Sequence, residues 1–316
     1  MTLRDSAHQK LREARWALRS ASVRDTVTDY STARFIVGSP RSGTTWLQEV
    51  ACASGGLRPI FEPFSFKRVE LFSDVPRGRY IAPDANEPDL ARRVTAVLDG
   101  SFRSPWSDQL ARMHPAARTQ GRVAKEIRSL TWLGWMGKQF PRMPIALLVR
   151  HPLAVASSSV ALGWEPRFFK PLMIQTDLVT THLLKQQGRL EALETPWERT
   201  IAVWCIENYV ALRTSANLDN IMVVSYEETV ANRVVLGEVL QHFAIQGMDQ
   251  TVIERGSSMS RKGSSTALKG YSSSSWLRTL DKAQIDSAMA VLSLFGFDQI
   301  FHPNGSVDVE RLLNFR

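Results

Sequence analysis

The chain has 316 residues and carries 39 Lys and Arg against 31 Asp and Glu, a formal charge of +8. With 44% hydrophobic and 22% charged residues it has ordinary globular proportions, which excludes a disordered or collagen-like chain and allows a sizeable core. The longest apolar run, around Ile145–Val149, is far too short to span a bilayer, and no apolar stretch follows the basic start as a secretory leader requires. Two cysteines, Cys52 and Cys205, cannot form a disulfide framework or a Cys-based zinc site, so they read as reduced thiols in a cytoplasmic protein. The positive balance points to an anionic ligand without naming it.

Residues 1–30 set Arg4, Lys10, Arg12, Arg15, Arg19 and Arg24 among Leu3, Leu11, Trp16 and Leu18. This spacing predicts a short basic amphipathic helix, read first as packed on a domain that occupies residues 31–316, with a membrane-surface or nucleic-acid role as the alternative. Arg34–Val37 is a buried-strand pattern that runs into Gly38-Ser39-Pro40-Arg41-Ser42-Gly43-Thr44-Thr45-Trp46, and helical spacing follows from Thr44 to about Ala53. Strand, glycine-bounded loop and helix in that order open a parallel sheet. Further strands are expected at Val123–Ile127, Ile145–Val149 and Ile221–Val224, and helices over Asp177–Ala192, Pro196–Ala216, Val234–Phe243 and Asp281–Phe295. The alternation predicts an α/β fold: a P-loop-like open parallel sheet flanked by helices on both faces, in a single domain. Gly256–Ser275, with nine serines around Arg261, Lys262 and Lys269, reads as a basic surface loop.

A glycine-rich loop feeding a helix N-terminus is a ready anion site, because free backbone N–H groups and the positive end of the helix dipole point at the ligand. Here the frame is Gly38, four residues, Gly43 and then Thr44-Thr45, close to the Walker A pattern. Two departures count against magnesium-assisted hydrolysis of a nucleoside triphosphate. Thr44 stands where that pattern has lysine, with the cation moved into the loop as Arg41. The strand Ile145–Val149 ends in Arg150 where a magnesium-holding acid is needed. Arg150-His151-Pro152, followed by Ser157-Ser158-Ser159 in the next helix, makes a second anion pocket at a second strand end. Together the two sites imply a ligand with phosphate-like groups at two ends of a nucleoside.

These residues resemble the sulfotransferases that use 3′-phosphoadenosine 5′-phosphosulfate (PAPS). Pro40–Trp46 is similar to the family's 5′-phosphosulfate loop, and Leu148–Pro152 through Ser158 to its 3′-phosphate element. Val223-Val224-Ser225-Tyr226-Glu227-Glu228 is similar to its later strand-then-Tyr-Glu segment, and Arg261-Lys262-Gly263 to the basic loop of the cytosolic branch. The resemblance implies that Arg41, Ser42, Gly43, Thr44 and Thr45 hold the 5′-phosphosulfate, and Arg150 and Ser158 the 3′-phosphate. Arg261, Lys262 and Gly263 would add to the 3′-phosphate site, with Tyr226 and Trp46 near the nucleotide. The continuation Ser264-Ser265-Thr266 departs from the glycine and tryptophan of that branch.

Sulfuryl transfer needs in-line positioning, a cation on the oxygen being released and a base for the acceptor hydroxyl. Arg41 stands where the family carries that cation. The histidine that serves the cytosolic branch as base is replaced by Ile127 in Lys125-Glu126-Ile127. Phe61-Glu62-Pro63-Phe64 resembles the glutamate element of the carbohydrate and tyrosyl-protein branches instead. Glu62 among those apolar neighbours is expected to be desolvated, with its pKa raised toward working pH, and to act as the base. Glu126 is the reserve candidate, Lys125 would neutralise the sulfuryl group, and His114 is a lone histidine without evident partners. The resemblance implies a hydroxyl acceptor, a carbohydrate, phenol or small metabolite, with its pocket shaped by Phe64–Met113 and Gly163–Gln175. No metal is expected from the histidine or acid spacing, and no nucleic-acid motif accompanies the positive charge. The competing readings are a P-loop nucleotide kinase or NTPase and a non-catalytic nucleic-acid-binding protein.

Overall fold

Among the described residues seven strands carry the frame: β1 (Arg24–Asp25), β2 (Ala33–Val37), β3 (Arg58–Phe61), β4 (Arg118–Thr119), β5 (Arg122–Glu126), β6 (Ile145–Val149) and β7 (Ile221–Ser225). The computed structural model describes residues 24–111, 118–119, 121–164, 166–255 and 275–315. Most of the expected N-terminal helix, together with His114 and the segment Arg261-Lys262-Gly263, lies outside the described residues. Five strands form one all-parallel sheet in the order β3-β5-β2-β6-β7, and β1 pairs with β4 beside it.

Side-chain alternation divides the sheet between two cores. Phe35 and Val37 of β2 and Ile145, Leu147 and Val149 of β6 face one side, while Ile36, Ala146 and Leu148 face the other. Both faces are covered, which is why these strands read as unbroken apolar runs. Helix α1 (Thr44–Gly55) lies on the Ile36 side. On the opposite side pack α2 (Pro88–Leu98), α3 (Leu133–Gln139), α4 (Pro152–Val160) and α5 (Pro196–Ser215). Helix α6 (Arg233–His242) returns to the Ile36 side, and α7 (Lys282–Ser293) to the other. The chain moves from β2 outward to β3, comes back as β5, and then crosses to β6 and β7. The order therefore reverses at β2, and the crevice beyond the carboxyl ends of β2 and β6 is where such sheets bind ligands.

Local chemistry sets the ends of the long helices. Thr195 and Glu198 form a capping box at the start of α5, with Pro196 in its first turn, and Asp281 with Gln284 does the same for α7. The single helix expected over Asp177–Ala192 is instead broken into Thr176–Leu178, a π-helical turn Val179–Leu183, and Gln187–Glu191. The run Val179-Thr180-Thr181 is β-branched, and the Thr180 hydroxyl donates to the Thr176 carbonyl at 2.9 Å, both of which weaken a regular helix there.

Strand β3 has no counterpart among the expected elements, because Arg58 and Pro59 interrupt its apolar pattern. Pro59 is tolerated since β3 is an edge strand. Arg58 is buried and held by Asp25 at 2.8 Å and Asp108 at 2.7 Å.

Candidate active site

The loop between β2 and α1 is shaped by two close approaches. A Cβ on Gly38 would lie 2.4 Å from the Leu148 carbonyl oxygen, and one on Gly43 only 2.3 Å from the Tyr226 ring. Gly43 also has φ +89° as the N-cap of α1, a conformation that favours glycine. These contacts press the loop against β6 and against the helix that follows β7. Ser42 lies inside the loop, fully buried, and its hydroxyl has no hydrogen-bond partner among the described residues. Thr44 and Thr45 open α1, where the first backbone N–H groups have no partner within the helix. An anion seated there would satisfy both sets of donors.

The second expected anion element meets the first directly. Arg150, next after β6, donates through Nη1 to the Arg41 carbonyl at 2.7 Å and places its guanidinium 4.6 Å over the Tyr226 ring. Arg41, at φ +71°, donates through Nε to the Ser158 hydroxyl on α4 at 2.9 Å. Trp46 packs edge-on against Tyr226 at 6.3 Å between ring centroids. The fold therefore gathers Arg41, Ser42, Gly43, Thr44, Thr45, Trp46, Arg150, Ser158 and Tyr226 at adjacent strand ends.

His151 fixes the start of α4. Its Nδ1 accepts from the Leu153 N–H, and its Nε2 faces the His302 carbonyl at 3.1 Å, so the neutral tautomer with a proton on Nε2 satisfies both contacts. Burial pushes its pKa down to about 3.

At the neighbouring strand end, Glu62 is 7% exposed and has φ +41°. One carboxylate oxygen meets Lys125 Nζ at 2.7 Å and the other Arg128 Nη2 at 2.9 Å. Burial alone would raise its pKa, but Lys125 and Arg128 outweigh burial and hold it below the ordinary carboxylate value. The upward shift expected from its apolar sequence neighbours is thus reversed, by cations that lie 63 and 66 positions away in the chain. Lys125 also stacks over the Phe61 ring at 4.4 Å, and burial lowers its own pKa against the pull of Glu62. Glu126 is fully buried. One of its oxygens accepts the Phe64 N–H, and the other accepts the Ile127 N–H and Arg128, all at 2.7–2.8 Å. It ties down the turn that carries Glu62.

A cavity of about 350 Å³ opens beside these groups. Ser39 and Pro40 of the loop, Ile127 and Arg128 form one wall, and Val155 and Ser159 of α4 another. Phe66, Trp164 and Phe168, all aromatic residues of the segments expected to shape the acceptor pocket, line it as well. By contrast Phe72 is a core residue, and Phe102, Trp106 and Phe169 pack against the core.

From α5 come Thr200, Val203, Trp204 and Glu207, whose spacing puts them on one face of the helix. Glu207 is 2% exposed and pairs with Arg77, whose Nη2 lies 3.0 and 3.1 Å from its two oxygens. Arg77, Arg128 and Glu207 were not among the expected site residues. A carboxylate within the apolar stretch Ile201–Leu212 was the one signal available for Glu207.

The chain is an α/β protein in which two candidate anion-binding elements meet beside a cavity. The sequence model of the sulfotransferase family matches residues 34–246, and the chain belongs to that family of transferases. No curated protein sequence matches the chain.

Among solved structures, a sulfotransferase from Alicyclobacillus acidocaldarius is 13% identical, over 84% of this chain and 92% of its own, with a TM-score of 0.39. The sulfotransferase domain of the Synechococcus PCC 7002 olefin synthase is 14% identical, over 84% and 95%, with a TM-score of 0.42. Mouse sulfotransferase SULT7A1 complexed with PAP is 14% identical, over 94% and 93%, with a TM-score of 0.41. Among the described residues no helix is long and apolar enough to cross a membrane, and no group of three or more His, Cys, Asp or Glu could hold a metal ion.

Proposed function

We propose that the protein transfers the sulfuryl group of PAPS to a hydroxyl of a small metabolite. The observation that carries the reading is the junction of the two anion elements, in which Arg150 and Ser158 both bond to Arg41 beside the buried Ser42 hydroxyl. In this reading Arg41, Ser42 and the N-terminus of α1, with Gly43, Thr44 and Thr45, hold the 5′-phosphosulfate. Arg150 and Ser158 hold the 3′-phosphate, Tyr226 and Trp46 border the nucleotide, and Arg261, Lys262 and Gly263 add charge to the 3′ end. Arg41 offsets the negative charge that grows on the released phosphate oxygen.

Lys125 faces the sulfuryl group, and Glu62 holds Lys125 and Arg128 in place. The cavity beside Pro40 receives the acceptor. Its volume, with Phe66, Trp164, Phe168 and Trp204 set among Lys67, Arg77, Arg128, Arg167 and Glu207, favours a small hydroxyl compound over an oligosaccharide. Two buried free thiols, Cys52 and Cys205, support a reducing, cytoplasmic setting.

Calorimetric titration with adenosine 3′,5′-bisphosphate, with magnesium–ATP as the control, tests the reading. Micromolar binding of the bisphosphate without a metal, and weak binding of ATP, is the expected result. A folded protein that binds only magnesium–ATP would replace the reading with a P-loop kinase or NTPase.

A further inference from the structure

We infer that Glu207 is the general base, taking the proton of the acceptor hydroxyl in the cavity bounded by Pro40 and α5, with Arg77 holding its carboxylate in place. The inference rests on the sulfotransferase reading and adds the catalytic group that the reading lacks.

Position comes first. Thr200, Val203, Trp204 and Glu207 form a single stripe along the cavity wall, and seven residues of helix span about 10 Å. The next residue, Asn208, donates to the Ser39 hydroxyl at 2.9 Å. Glu207 is therefore at the end of the stripe nearest the phosphate loop, where the reacting hydroxyl must lie, and Thr200 is at the far end. A residue inside a capped twenty-residue helix is also held rigidly, as a catalytic group must be.

The chemistry of the pair suits a base. Arg77 binds the carboxylate through Nε at 3.2 Å and Nη2 at 3.0 and 3.1 Å, and its guanidinium stacks 4.3 Å from the Phe168 ring. A carboxylate has about four lone-pair sites, so this clamp leaves capacity for a further proton. Burial raises the Glu207 pKa above the ordinary carboxylate value, while Arg77 favours the ionised form. Glu62 is the opposite case, held below the ordinary value between two cations, and it does not line the cavity. Glu126 has both oxygens occupied by backbone and Arg128 donors.

The step balances without a further reactant. The acceptor O–H proton passes to a Glu207 oxygen as the acceptor oxygen forms its bond to sulfur. The bond from sulfur to the 5′-phosphate oxygen breaks, and its electron pair stays on that oxygen, leaving adenosine 3′,5′-bisphosphate. Glu207 then returns the proton to solvent.

The test uses the full chain with PAPS and 4-methylphenol, which stays protonated at neutral pH, as the probe acceptor, and compares wild type, Glu207→Gln and Glu207→Asp. Glu207→Gln is expected to lower kcat at least a hundredfold while KM for PAPS and affinity for adenosine 3′,5′-bisphosphate change less than threefold. Glu207→Asp, which keeps the charge and the Arg77 pair but withdraws the carboxylate, is expected to recover part of the rate. The decline of wild-type kcat at acid pH, where Glu207 becomes protonated, should be absent from the residual activity of Glu207→Gln.

Near-normal kcat in Glu207→Gln would overturn the inference, as would an acid decline that survives it or a wild type that neither binds nor sulfates 4-methylphenol. Failure of wild type to bind the bisphosphate would instead overturn the sulfotransferase reading itself. Equal bisphosphate affinity across the variants also shows that each is folded.

Discussion

Arg41 and Ser158 lie 117 positions apart and are joined by a 2.9 Å hydrogen bond from guanidinium Nε to hydroxyl. The bond links the loop after β2 to the helix after β6, so the two halves of the proposed nucleotide site are joined in one unit. A dianion on Ser158 and Arg150 would then be felt at Arg41. Ser158→Ala should weaken binding of adenosine 3′,5′-bisphosphate by about 1.5–3 kcal/mol, the worth of one hydrogen bond to a charged group. Arg150→Ala should cost about 2–4 kcal/mol, since it removes the charge-assisted contact and the hold on the Arg41 carbonyl. Calorimetry on folded variants measures both. Unchanged affinity in Arg150→Ala would reject the two-anchor site.

Gly43 offers a steric test of the same assembly. Alanine there must adopt φ near +89° and put its methyl 2.3 Å from the Tyr226 ring. The backbone strain alone is about 1–3 kcal/mol. Gly43→Ala should therefore lower the melting temperature and abolish measurable bisphosphate binding. Adding Tyr226→Ala removes the ring but leaves the strained φ, so the double variant should regain only part of the lost stability. Full recovery would show that the clash alone was at fault and that the backbone tolerates alanine.

What the sequence disclosed follows the range of the interactions. The glycine-bounded loop after β2, with α1, β2 and β6, was legible because glycine spacing and apolar runs are local signals, and the observed β6 has the expected bounds. Strand β3 was hidden because the residues that make Arg58 buriable, Asp25 and Asp108, lie 33 and 50 positions away. The direction of the Glu62 shift was hidden for the same reason. Its apolar neighbours are adjacent in sequence, but the two cations that decide its pKa come from β5 and the turn beyond. Arg77 and Glu207 are 130 positions apart, and neither bears a mark of the other.

His151 gives the fold an acid-sensitive point. It packs tilted against Trp276 at 4.7 Å and edge-on against Phe301 at 5.5 Å, and protonation of Nδ1 would destroy the bond from Leu153 N–H and place a charge beside Arg150. Its pKa is about 3 in the fold against an ordinary 6.5, so the unfolded chain binds the extra proton first. Stability from this group is complete above the ordinary value and is lost as pH falls toward 3. The slope is at most about 1.4 kcal/mol per pH unit. Denaturant unfolding of wild type and His151→Gln at intervals from pH 7 to pH 4 measures it, and the variant should show the shallower decline. Parallel declines would mean that His151 titrates normally in the fold.

Glu62 can be assigned by asking whether its loss harms stability or only rate. Held between Lys125 at 2.7 Å and Arg128 at 2.9 Å, it is the counter-ion of two largely buried cations. Removing one partner of a buried pair typically costs about 3–5 kcal/mol, because the other charge is left without compensation. Glu62→Gln should therefore lower the unfolding free energy by that order. Adding Lys125→Met should restore part of it, since the orphaned ammonium goes too. The depressed pKa of Glu62 sets the sign of the pH effect: its contribution is present above the ordinary carboxylate value and is lost as pH falls through the value in the fold. The difference between wild type and Glu62→Gln should accordingly narrow in acid. A catalytic base would leave a different record, with unfolding unchanged, bisphosphate affinity unchanged and transfer slowed about a hundredfold or more. That outcome would return the proton to Glu62 and leave Lys125 and Arg128 with charges that the fold tolerates without it.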